Sequence, residues 1–365
     1  MSEMLQKYAD LLVNYSLELQ PGDRCYVRST TLAEPLLREL YRAGLRAGAH
    51  LVFDLDFREQ QRIFYQEANG AQLDWVDPAY QNAIENYEAY LYVRAPYNLA
   101  DGQDADPAKR QQRQQATRAV GKIYSERTAT RALRRSLCQY PTAAAAQNAG
   151  MSLEAYEQFI FGACKLHEEN PRSAWLAVRA QQQHIVDHLN GCTQVRYRNG
   201  DTDIEFSTRG RTWINSDGQT NMPSGEVYTS PVEDSVNGTV RFNYPAVYMG
   251  HEVEDVTLWV QHGYIERWEA RRGGEFLDRI FELEGTRRFG EAAIGTNYDI
   301  DRFTKNILFD EKIGGTIHMA IGQSYLQAGG KNQSSVHWDM IADMTNGGEI
   351  LADGERIYAD GKFLL

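Results

Sequence analysis

The chain has 365 residues, of which 42% are hydrophobic and 24% charged, so its composition is globular and sufficient for one large core or two. Its formal net charge of −12 excludes general affinity for nucleic acids or anionic membranes, because binding to phosphate depends on clustered Lys and Arg. A small molecule or a peptide is therefore the expected partner.

The cysteines and the N-terminus indicate the compartment. The four cysteines lie far apart, without a CxxC pair or the density of a disulfide framework, and are predicted to be reduced core thiols. They are Cys25, Cys138, Cys164 and Cys192. Glu3, Lys7 and Asp10 interrupt the first apolar residues, so no signal-peptide core is present, and no apolar run approaches the roughly 20 residues of a membrane span. The sequence therefore predicts a cytoplasmic protein.

The N-terminal half alternates between helical and strand periodicity. Apolar spacing predicts a helix over residues 5–15 that ends before Pro21-Gly22, and the pattern that follows is a βαβ unit. The remaining predicted elements are a strand at 25–28, a helix at 36–45, and strands at 51–53, 90–93 and 137–138. This order predicts an α/β layered domain. No glycine-rich phosphate loop accompanies it, so nucleotide binding is not expected.

Three further patterns in this half have a simple structural interpretation. Nine basic residues lie between Lys109 and Arg135, but no aromatic residues alternate with them, so we interpret them as a solvated helix surface. Ser152 is typical of a helix start. His184 and His188 have the i, i+4 spacing of metal ligands on a predicted helix over 174–189. Because no third ligand is nearby, they too are interpreted as helix surface.

The pattern changes near residue 195 to short alternating runs separated by turn dipeptides such as Asn199-Gly200 and Asp353-Gly354. The fold class is therefore α/β, with an N-terminal α/β domain over residues 1–190 and a mostly β domain over 191–365. One helix is predicted within the second domain, from Glu275 to Arg288.

Three predicted strands of the second domain carry polar residues on one face. In a strand over 334–340, His337 and Asp339 share a face because side chains alternate. In the strand at 315–321, His318 lies opposite the apolar residues, next to Thr316 and Ala320, with room for a metal. Glu226 likewise shares a face with Tyr228 in the run that Pro231 ends. No spacing here matches a zinc finger or HExxH, so the residues alone leave open whether the histidines bind a metal or stabilise the fold.

Four blocks of the second domain form a recognisable series: Met222-Pro223-Ser224-Gly225-Glu226-Val227-Tyr228-Thr229-Ser230-Pro231, Phe289-Gly290-Glu291-Ala292-Ala293-Ile294-Gly295, Asp310-Glu311-Lys312 through Gly322, and Asn332-Gln333-Ser334-Ser335-Val336-His337-Trp338-Asp339. In both order and approximate spacing, these blocks resemble the aminopeptidase T / aminopeptidase S family of metallopeptidases. The similarity extends to Tyr8-Ala9, Ala47-Gly48-Ala49 and the segment from Pro141 to Trp175, and thus over nearly the whole chain.

The resemblance implies a site in the C-terminal domain with two divalent metal ions. The implied metal ligands are Glu226, Glu291, His318, Tyr325, His337 and Asp339. Carboxylate and imidazole ligands without cysteine suit zinc, cobalt, manganese or magnesium. Tyr325 is an unusual ligand because a phenol, with a pKa near 10, must give up or share its proton. Only the family motif assigns it to the site.

The resemblance also implies the reaction. Two ions roughly 3.5–4 Å apart activate a bridging water and polarise the scissile carbonyl, and one of them can hold the free α-amino group. The expected substrate is therefore a peptide with a free N-terminus. Glu311 is the candidate general base. The family is dimeric, so a homodimer is implied. The chain is somewhat shorter than usual for the family, which leaves its side-chain preference open.

Two other functions compete with this interpretation. Ring-cleaving dioxygenases of dihydroxypyridine share the fold and bind one ferrous ion with two histidines and one carboxylate. His251, His318, His337 and Asp339 could supply these ligands. The presence of Glu226 and Glu291 favours two metals over one, since a single iron leaves clustered carboxylates without a charge partner. A metal-stabilised dimer without catalysis is the second alternative.

Overall fold

The computed structural model describes residues 2–365 of the chain. The chain divides into two compact units: the first comprises Met1–Arg172 and Gly218–Pro223, and the second comprises Ser173–Asp217 and Ser224–Leu365. No helix within the described residues is both long enough and apolar enough to cross a membrane.

The α-helices lie mainly in the first unit. They are α1 Ser2–Leu11, α2 Glu34–Arg46, α3 Gln60–Glu67, α4 Gly70–Asp74, α5 Pro78–Asn86, α6 Pro107–Ala129, α7 Ala143–Asn148, α8 Leu153–Ala163, α9 Pro171–Asn190, α10 Gly274–Phe281 and α11 Ile307–Asp310. A π-helical turn, Leu12–Ser16, continues α1, and short 3-10 turns lie at Thr31–Ala33 and Leu326–Ala328.

The strands are concentrated in the second unit. They are β1 Arg24–Thr30, β2 His50–Asp56, β3 Ala89–Arg94, β4 Arg134–Gln139, β5 Gln194–Asn199, β6 Thr202–Ser207, β7 Ile214–Ser216, β8 Asn221–Met222, β9 Glu226–Thr229, β10 Asn237–Phe242, β11 Ala246–Tyr248, β12 His251–Gln261, β13 Tyr264–Arg272, β14 Phe289–Gly295, β15 Thr316–Gly322, β16 His337–Asp343, β17 Glu349–Ala352, β18 Glu355–Ala359 and β19 Lys362–Phe363.

The first unit contains a parallel sheet with the strand order β2-β1-β3-β4-β8. The predicted βαβ unit is confirmed as β1-α2-β2, in which Leu36, Leu37 and Leu40 form the buried face of the helix. Parallel neighbours need such crossover connections, which explains the alternation of helices and strands in this part of the sequence. The α/β prediction for this region is therefore confirmed.

Most of the basic segment and three of the four cysteines lie where the sequence predicted, whereas Arg134 and Arg135 belong to β4. The basic residues fall on α6 and just after it, and Val120 is the buried residue of that helix. Ser152 caps α8 by accepting a hydrogen bond from the backbone N–H of Ala155. The four cysteines are free thiols; Cys192 is partly exposed and the other three are buried.

The second unit contains two antiparallel sheets. The larger has nine strands in the order β11-β12-β10-β6-β5-β17-β18-β19, with β13 pairing to β12. The smaller has five strands in the order β16-β15-β14-β9-β7. One hydrophobic cluster includes side chains from both sheets, among them Tyr197, Val256, Met319 and Trp338. This mixture of an α/β unit and an antiparallel unit matches the predicted fold class.

One predicted helix is shorter in the structure. The helix expected from Glu275 to Arg288 ends at Phe281. Gly285 then adopts a φ of +77°, which lies in the left-handed region, and the hydroxyl of Thr286 donates hydrogen bonds to the carbonyls of Ile280 and Leu283. The helical spacing continued past Phe281, but this turn ends the helix and leads the chain into β14.

Candidate metal centre

The register of the five-stranded sheet places the predicted site residues on one face. Ala320 in β15 pairs with both Glu291 in β14 and Asp339 in β16. Ala293 in β14 pairs with His318 in β15. Because directly paired residues point to the same side of a sheet, these side chains share a face, and the two alanines leave space between the larger polar groups.

The opposite face of the same strands is apolar. Ile317, Met319 and Ile321 of β15 belong to the hydrophobic core, as the alternation in the sequence predicted. Trp338 and Met340 of β16 belong to the same cluster. Since side chains alternate along a strand, burying these residues forces the intervening His and Asp residues onto the other face.

Glu226 is held at the start of β9 by close backbone packing. Gly225 before it has a φ of +119°, and a Cβ there would lie 2.6 Å from the Cβ of Asn297. The side-chain amide of Gln182 in α9 donates a hydrogen bond of 2.9 Å to the carbonyl of Glu226. Only glycine fits this conformation and approach, so the position of Glu226 depends on the residue before it.

Two histidines and their carboxylates form a continuous chain of contacts. The Nε2 atom of His318 lies 3.2 Å from Glu226 Oε2 and 3.7 Å from Glu291 Oε1. The Nε2 atom of His337 lies 3.1 Å from Glu291 Oε2 and 3.7 Å from Asp339 Oδ1. Glu291 therefore stands between the two imidazoles and contacts each with a different oxygen.

Tyr325 and the backbone orient His337. The Nδ1–H of His337 donates a hydrogen bond of 2.8 Å to the carbonyl of Gln323, so Nε2 faces the carboxylates. The hydroxyl of Tyr325 lies 3.3 Å from that Nε2 atom. The ring of Tyr325 also packs against Tyr228, with ring centroids 5.2 Å apart. The phenol oxygen thus points at the same space as the imidazole.

Glu311 and Lys312 complete the cluster from the segment that follows α11. The Lys312 ammonium is fully buried, contacts Glu311 Oε1 and lies 3.8 Å from Glu226 Oε1. Glu226 therefore directs one oxygen to Lys312 and the other to His318. A buried charge is tolerated only when it is paired, and these carboxylates are the partners of this lysine.

These residues fit divalent cations. Potential ligand atoms of Glu226, Glu311 and His318 lie within 4.8 Å of one another, and so do those of Glu291, His337 and Asp339. Four buried polar atoms of this set form no hydrogen bond within the described chain. They are Glu226 Oε2, His318 Nδ1, His318 Nε2 and Asp339 Oδ1. Buried polar atoms are rarely left without a partner, and oxygen and imidazole donors are what these cations bind.

Burial and charge pairing act against each other on these groups. Burial alone would lower the pKa of His337, but Asp339 and Glu291 outweigh it and raise that pKa to about 10. The pKa of His318 is likewise raised well above its usual value, because Glu226 and Glu291 outweigh burial. Burial would raise the pKa of Glu291, but His318 and His337 lower it to about 2. Without metal, the imidazolium groups themselves neutralise the carboxylates.

Glu311 and Tyr325 have pKa values shifted upward. Burial raises the pKa of Glu311 to about 8 although Lys312 opposes the shift, and Glu226 and Asp339 add to it. Burial and the charge of Glu291 raise the pKa of Tyr325 well above 10, so the phenol keeps its proton in the absence of a cation. Each group therefore favours its protonated form in the absence of a cation, and a positive charge placed beside it would favour loss of the proton.

All seven residues predicted for the site lie in this one cluster: Glu226, Glu291, Glu311, His318, Tyr325, His337 and Asp339. Their roles as metal ligands and base stay predictions. His184 and His188 belong to neither of the metal-capable groups among residues 2–365. His251 belongs to neither as well, and stacks on Phe276 with ring centroids 4.2 Å apart.

Lys312 was not among the residues predicted for the site. A lysine next to an acidic residue is typical of a solvated surface, and its burial depends on how the chain folds back after α11. The available signal was its position directly after the candidate base within the Asp310-Glu311-Lys312 block.

Comparisons with known proteins find metallopeptidases and aminopeptidases along nearly the whole chain. A family model described as Thermophilic metalloprotease (M29) matches residues 1–363. The chain is 28% identical to Aminopeptidase 2 of Geobacillus stearothermophilus, over 96% of this chain and 95% of that protein. It is 26% identical to Aminopeptidase AmpS of Bacillus subtilis (strain 168), over 99% of this chain and 98% of that protein.

A solved structure supports the fold. Wild-type AmpT from Thermus thermophilus superposes with a TM-score of 0.85 and 23% sequence identity, covering 99% of each chain. The predicted fold class and the predicted family are both confirmed. Neither the ring-cleaving dioxygenase nor the non-catalytic dimer finds support among these comparisons.

The family and the aminopeptidase relatives confirm that the chain is a hydrolase, as predicted. It is a metallo-aminopeptidase that acts on peptides and uses divalent metal. With residues 1–363 matched and potential ligand atoms gathered on one sheet face, the chain belongs to the thermophilic metalloprotease family of metallopeptidases.

Proposed function

We propose that the enzyme removes the N-terminal residue of peptides with two divalent cations held on the face formed by β9, β14, β15 and β16. The observation that carries this proposal is the pair of three-residue groups, Glu226/Glu311/His318 and Glu291/His337/Asp339, each with donor atoms within 4.8 Å. The first position would use Glu226 and His318, the second His337, Asp339 and Tyr325, and Glu291 would serve both.

The charges of the cluster support two cations over one. Four carboxylates face the single fixed positive charge of Lys312: those of Glu226 and Glu291, which are buried, and those of Glu311 and Asp339, which are partly buried. When the imidazoles are neutral, as metal ligands must be, and bound cations keep all four carboxylates ionised, three negative charges remain uncompensated by the protein. One divalent ion would leave a buried negative charge, whereas two leave the site slightly positive. A positive site suits the negative charge that develops on a peptide carbonyl during hydrolysis.

The chemistry of the ligands allows zinc, cobalt, manganese or magnesium. When bound, such ions lower the pKa of a water molecule toward neutrality and polarise the scissile carbonyl. Glu311 keeps one oxygen free of the Lys312 contact and lies beside Glu226 and His318. We assign it as the base that takes a proton from water and returns it to the leaving amine. Lys312 holds the carboxylate in the orientation needed for this transfer.

The test combines metal counting with activity. The purified protein is stripped with a chelator, reloaded with each of the four metals, and assayed on aminoacyl anilides with free or acetylated N-termini. We expect two ions per chain and hydrolysis only of the free amines. His337→Ala and Glu291→Ala should lose metal and activity while far-UV circular dichroism stays unchanged. Two-ion loading and full activity in either variant would contradict the assignment of the site.

Glu311→Gln separates a base from a ligand. As the base, Glu311 contributes about 10²–10⁴-fold to kcat, so the glutamine variant should retain both ions and lose activity by that factor. If it instead retains only one ion, Glu311 is a ligand of the first position. Glu282→Gln, an exposed change at the end of α10, is the matched control and should behave as the wild type.

We propose further that the enzyme is a cytoplasmic homodimer. Free thiols at all four cysteines suit a reducing compartment, and the resemblance to the dimeric aminopeptidases supports the dimer. Light scattering of the purified protein tests the assembly. A monomer at assay concentration with full activity would rule the dimer out as a requirement for catalysis.

A further inference from the structure

A second charged feature of the second unit is a cavity of about 550 Å³. Its charged lining residues are Arg209, Arg211, Glu233, Asp234, Arg288 and Lys331. We call it the basic cavity. Four cations and two carboxylates line it, in a chain whose formal net charge is −12. Such a local excess of positive charge indicates an anionic ligand.

Arg211 is the buried member of the basic cavity. Its side chain is 5% exposed and forms an ion pair with Glu233 through Nη2. Its Nε atom is buried and has no hydrogen-bond partner within the described residues. A buried guanidinium donor without a partner costs free energy, so the groups of the protein leave the hydrogen-bonding capacity of Arg211 incomplete.

The acidic lining residues do not neutralise the cavity. Glu233 is already used by the protein, because its Oε2 pairs with Arg211 and its Oε1 accepts a hydrogen bond of 2.6 Å from the backbone N–H of Lys331. Arg288 donates to the main-chain carbonyl of Glu233 and forms no ion pair in the part of the chain described. Arg209 and Lys331 are exposed and likewise lack an ion pair there. Asp234 is the remaining acid, also exposed.

The basic cavity is joined to the candidate metal centre by short chain segments. Arg288 precedes Glu291 by three residues, which at about 3.3 Å per residue in a strand places the two Cα atoms on the order of 10 Å apart. The hydroxyl of Ser230 donates to the carbonyl of Gly290 and accepts from the backbone N–H of Tyr325. An extended peptide advances by a similar distance per residue, so a peptide whose scissile bond lay at the metal centre would reach Arg288 about two to three residues further on.

We propose that the basic cavity binds a carboxylate of the peptide substrate on the C-terminal side of the scissile bond. Guanidinium groups pair with carboxylates through two parallel hydrogen bonds, and Arg288 can supply this recognition through the nitrogens that its main-chain contacts leave free. The carboxylate is either the C-terminus of a short peptide or an acidic side chain. This assignment rests on the aminopeptidase activity proposed above and adds a preference for short or acidic peptides.

The experiment compares substrates that differ in one carboxylate. The wild-type enzyme is assayed on Leu-Gly-Gly, its C-terminal amide, and leucyl anilide, and on amidated Leu-Gly-Asp and Leu-Gly-Asn. We expect KM for Leu-Gly-Gly or for the Asp peptide to be at least tenfold lower than for its uncharged counterpart. A lower KM for Leu-Gly-Gly than for its amide identifies the terminal carboxylate as the bound group. A lower KM for the Asp peptide than for the Asn peptide identifies the acidic side chain. Equal KM values in both pairs would overturn the proposal.

The variant Arg209→Gln/Lys331→Gln removes two exposed charges from the cavity without touching its buried Arg211 pair. It should raise KM for the favoured carboxylate peptide at least fivefold and change the anilide rate by less than twofold. The matched control is Arg118→Gln/Lys122→Gln on α6, which removes the same charge elsewhere. Equal effects of the two double variants, or an equal loss of activity on the anilide and on the peptide, would contradict a role of the basic cavity in binding the carboxylate. Wild-type inactivity on every substrate would instead refute the aminopeptidase activity.

Discussion

Replacing Lys312 with methionine tests how charge is balanced in the metal centre. The lysine is fully buried and its only carboxylate neighbours within ion-pair distance in the described chain are Glu226 and Glu311. Removing one partner of a buried ion pair costs about 3–5 kcal/mol, because the remaining charge is left without compensation. In the metal-free Lys312→Met protein, we expect a loss of stability of this size.

The loss should be smaller when metal is bound, since the cations then neutralise the same carboxylates. By linkage, the difference between the two losses equals the gain in metal affinity. If metal reduces the loss by about 2 kcal/mol, the variant binds its ions about 30-fold more tightly. Its kcat should nevertheless fall, because Glu311 loses the contact that orients it.

The assay measures thermal midpoints with and without saturating zinc, together with zinc affinity by competition with a chelator. Lys122→Met, which removes an exposed lysine paired with Glu126 at 3.8 Å, is the control and should change stability by less than about 1 kcal/mol. Equal destabilisation of the metal-free and metal-bound Lys312→Met protein, with unchanged zinc affinity, would refute the reasoning.

Three further outcomes are expected. The pKa of His337 is raised to about 10 in the metal-free protein, so the protonated imidazole stabilises the fold fully below pH 6.5, and this stabilisation is lost as the pH rises through about 10. At pH 8, metal binding should therefore release this proton. Calorimetry in buffers of different ionisation enthalpy should count one released proton fewer for His337→Gln than for the wild type. Gly225→Ala introduces a Cβ 2.6 Å from a neighbouring side-chain carbon at a φ of +119°, so it should lower both the thermal midpoint and the amount of bound metal. Its control is Gly200→Ala, which lies in open space at positive φ and should cost about 1–2 kcal/mol of stability while leaving the metal content unchanged. Hydrogen bonds from Arg24 lower the pKa of Glu88 to about 2, so Glu88→Gln should cause a small loss of stability at pH 7 that disappears as the pH falls from about 4.5 to 2; a loss that persists at pH 2 would contradict this.

Much of the site could be predicted because strands have a simple period. The alternation of Ile317, Met319 and Ile321 identified the core side of β15, and thereby the side on which His318 lies. The same reasoning placed His337 and Asp339 together. That these strands pair as neighbours is a long-range property that no local pattern contains, and only the family resemblance linked the four blocks.

The failures also have physical causes. Helical spacing continued past Phe281, but a glycine in the left-handed region and the Thr286 hydroxyl ended the helix there. Burial of Lys312 depends on contacts with residues distant in sequence, so composition assigns it to the surface. The two-residue strand β8 is too short to produce any periodicity, and its pairing with β4 could not be foreseen.

The two halves of the candidate metal centre differ in their access to solvent. The side chain of His337 is 25% exposed, whereas His318 and Lys312 are 1% and 0% exposed. A cation beside His337 can therefore exchange directly with solvent, whereas one beside His318 can exchange only when the sheet and its covering segments open. If the proposed site holds two ions, the inner ion should exchange slowly and persist through purification, and the occupancy of the outer position should follow the free metal concentration. Enzyme activity would then report the availability of metal in its surroundings without the inner position ever being emptied.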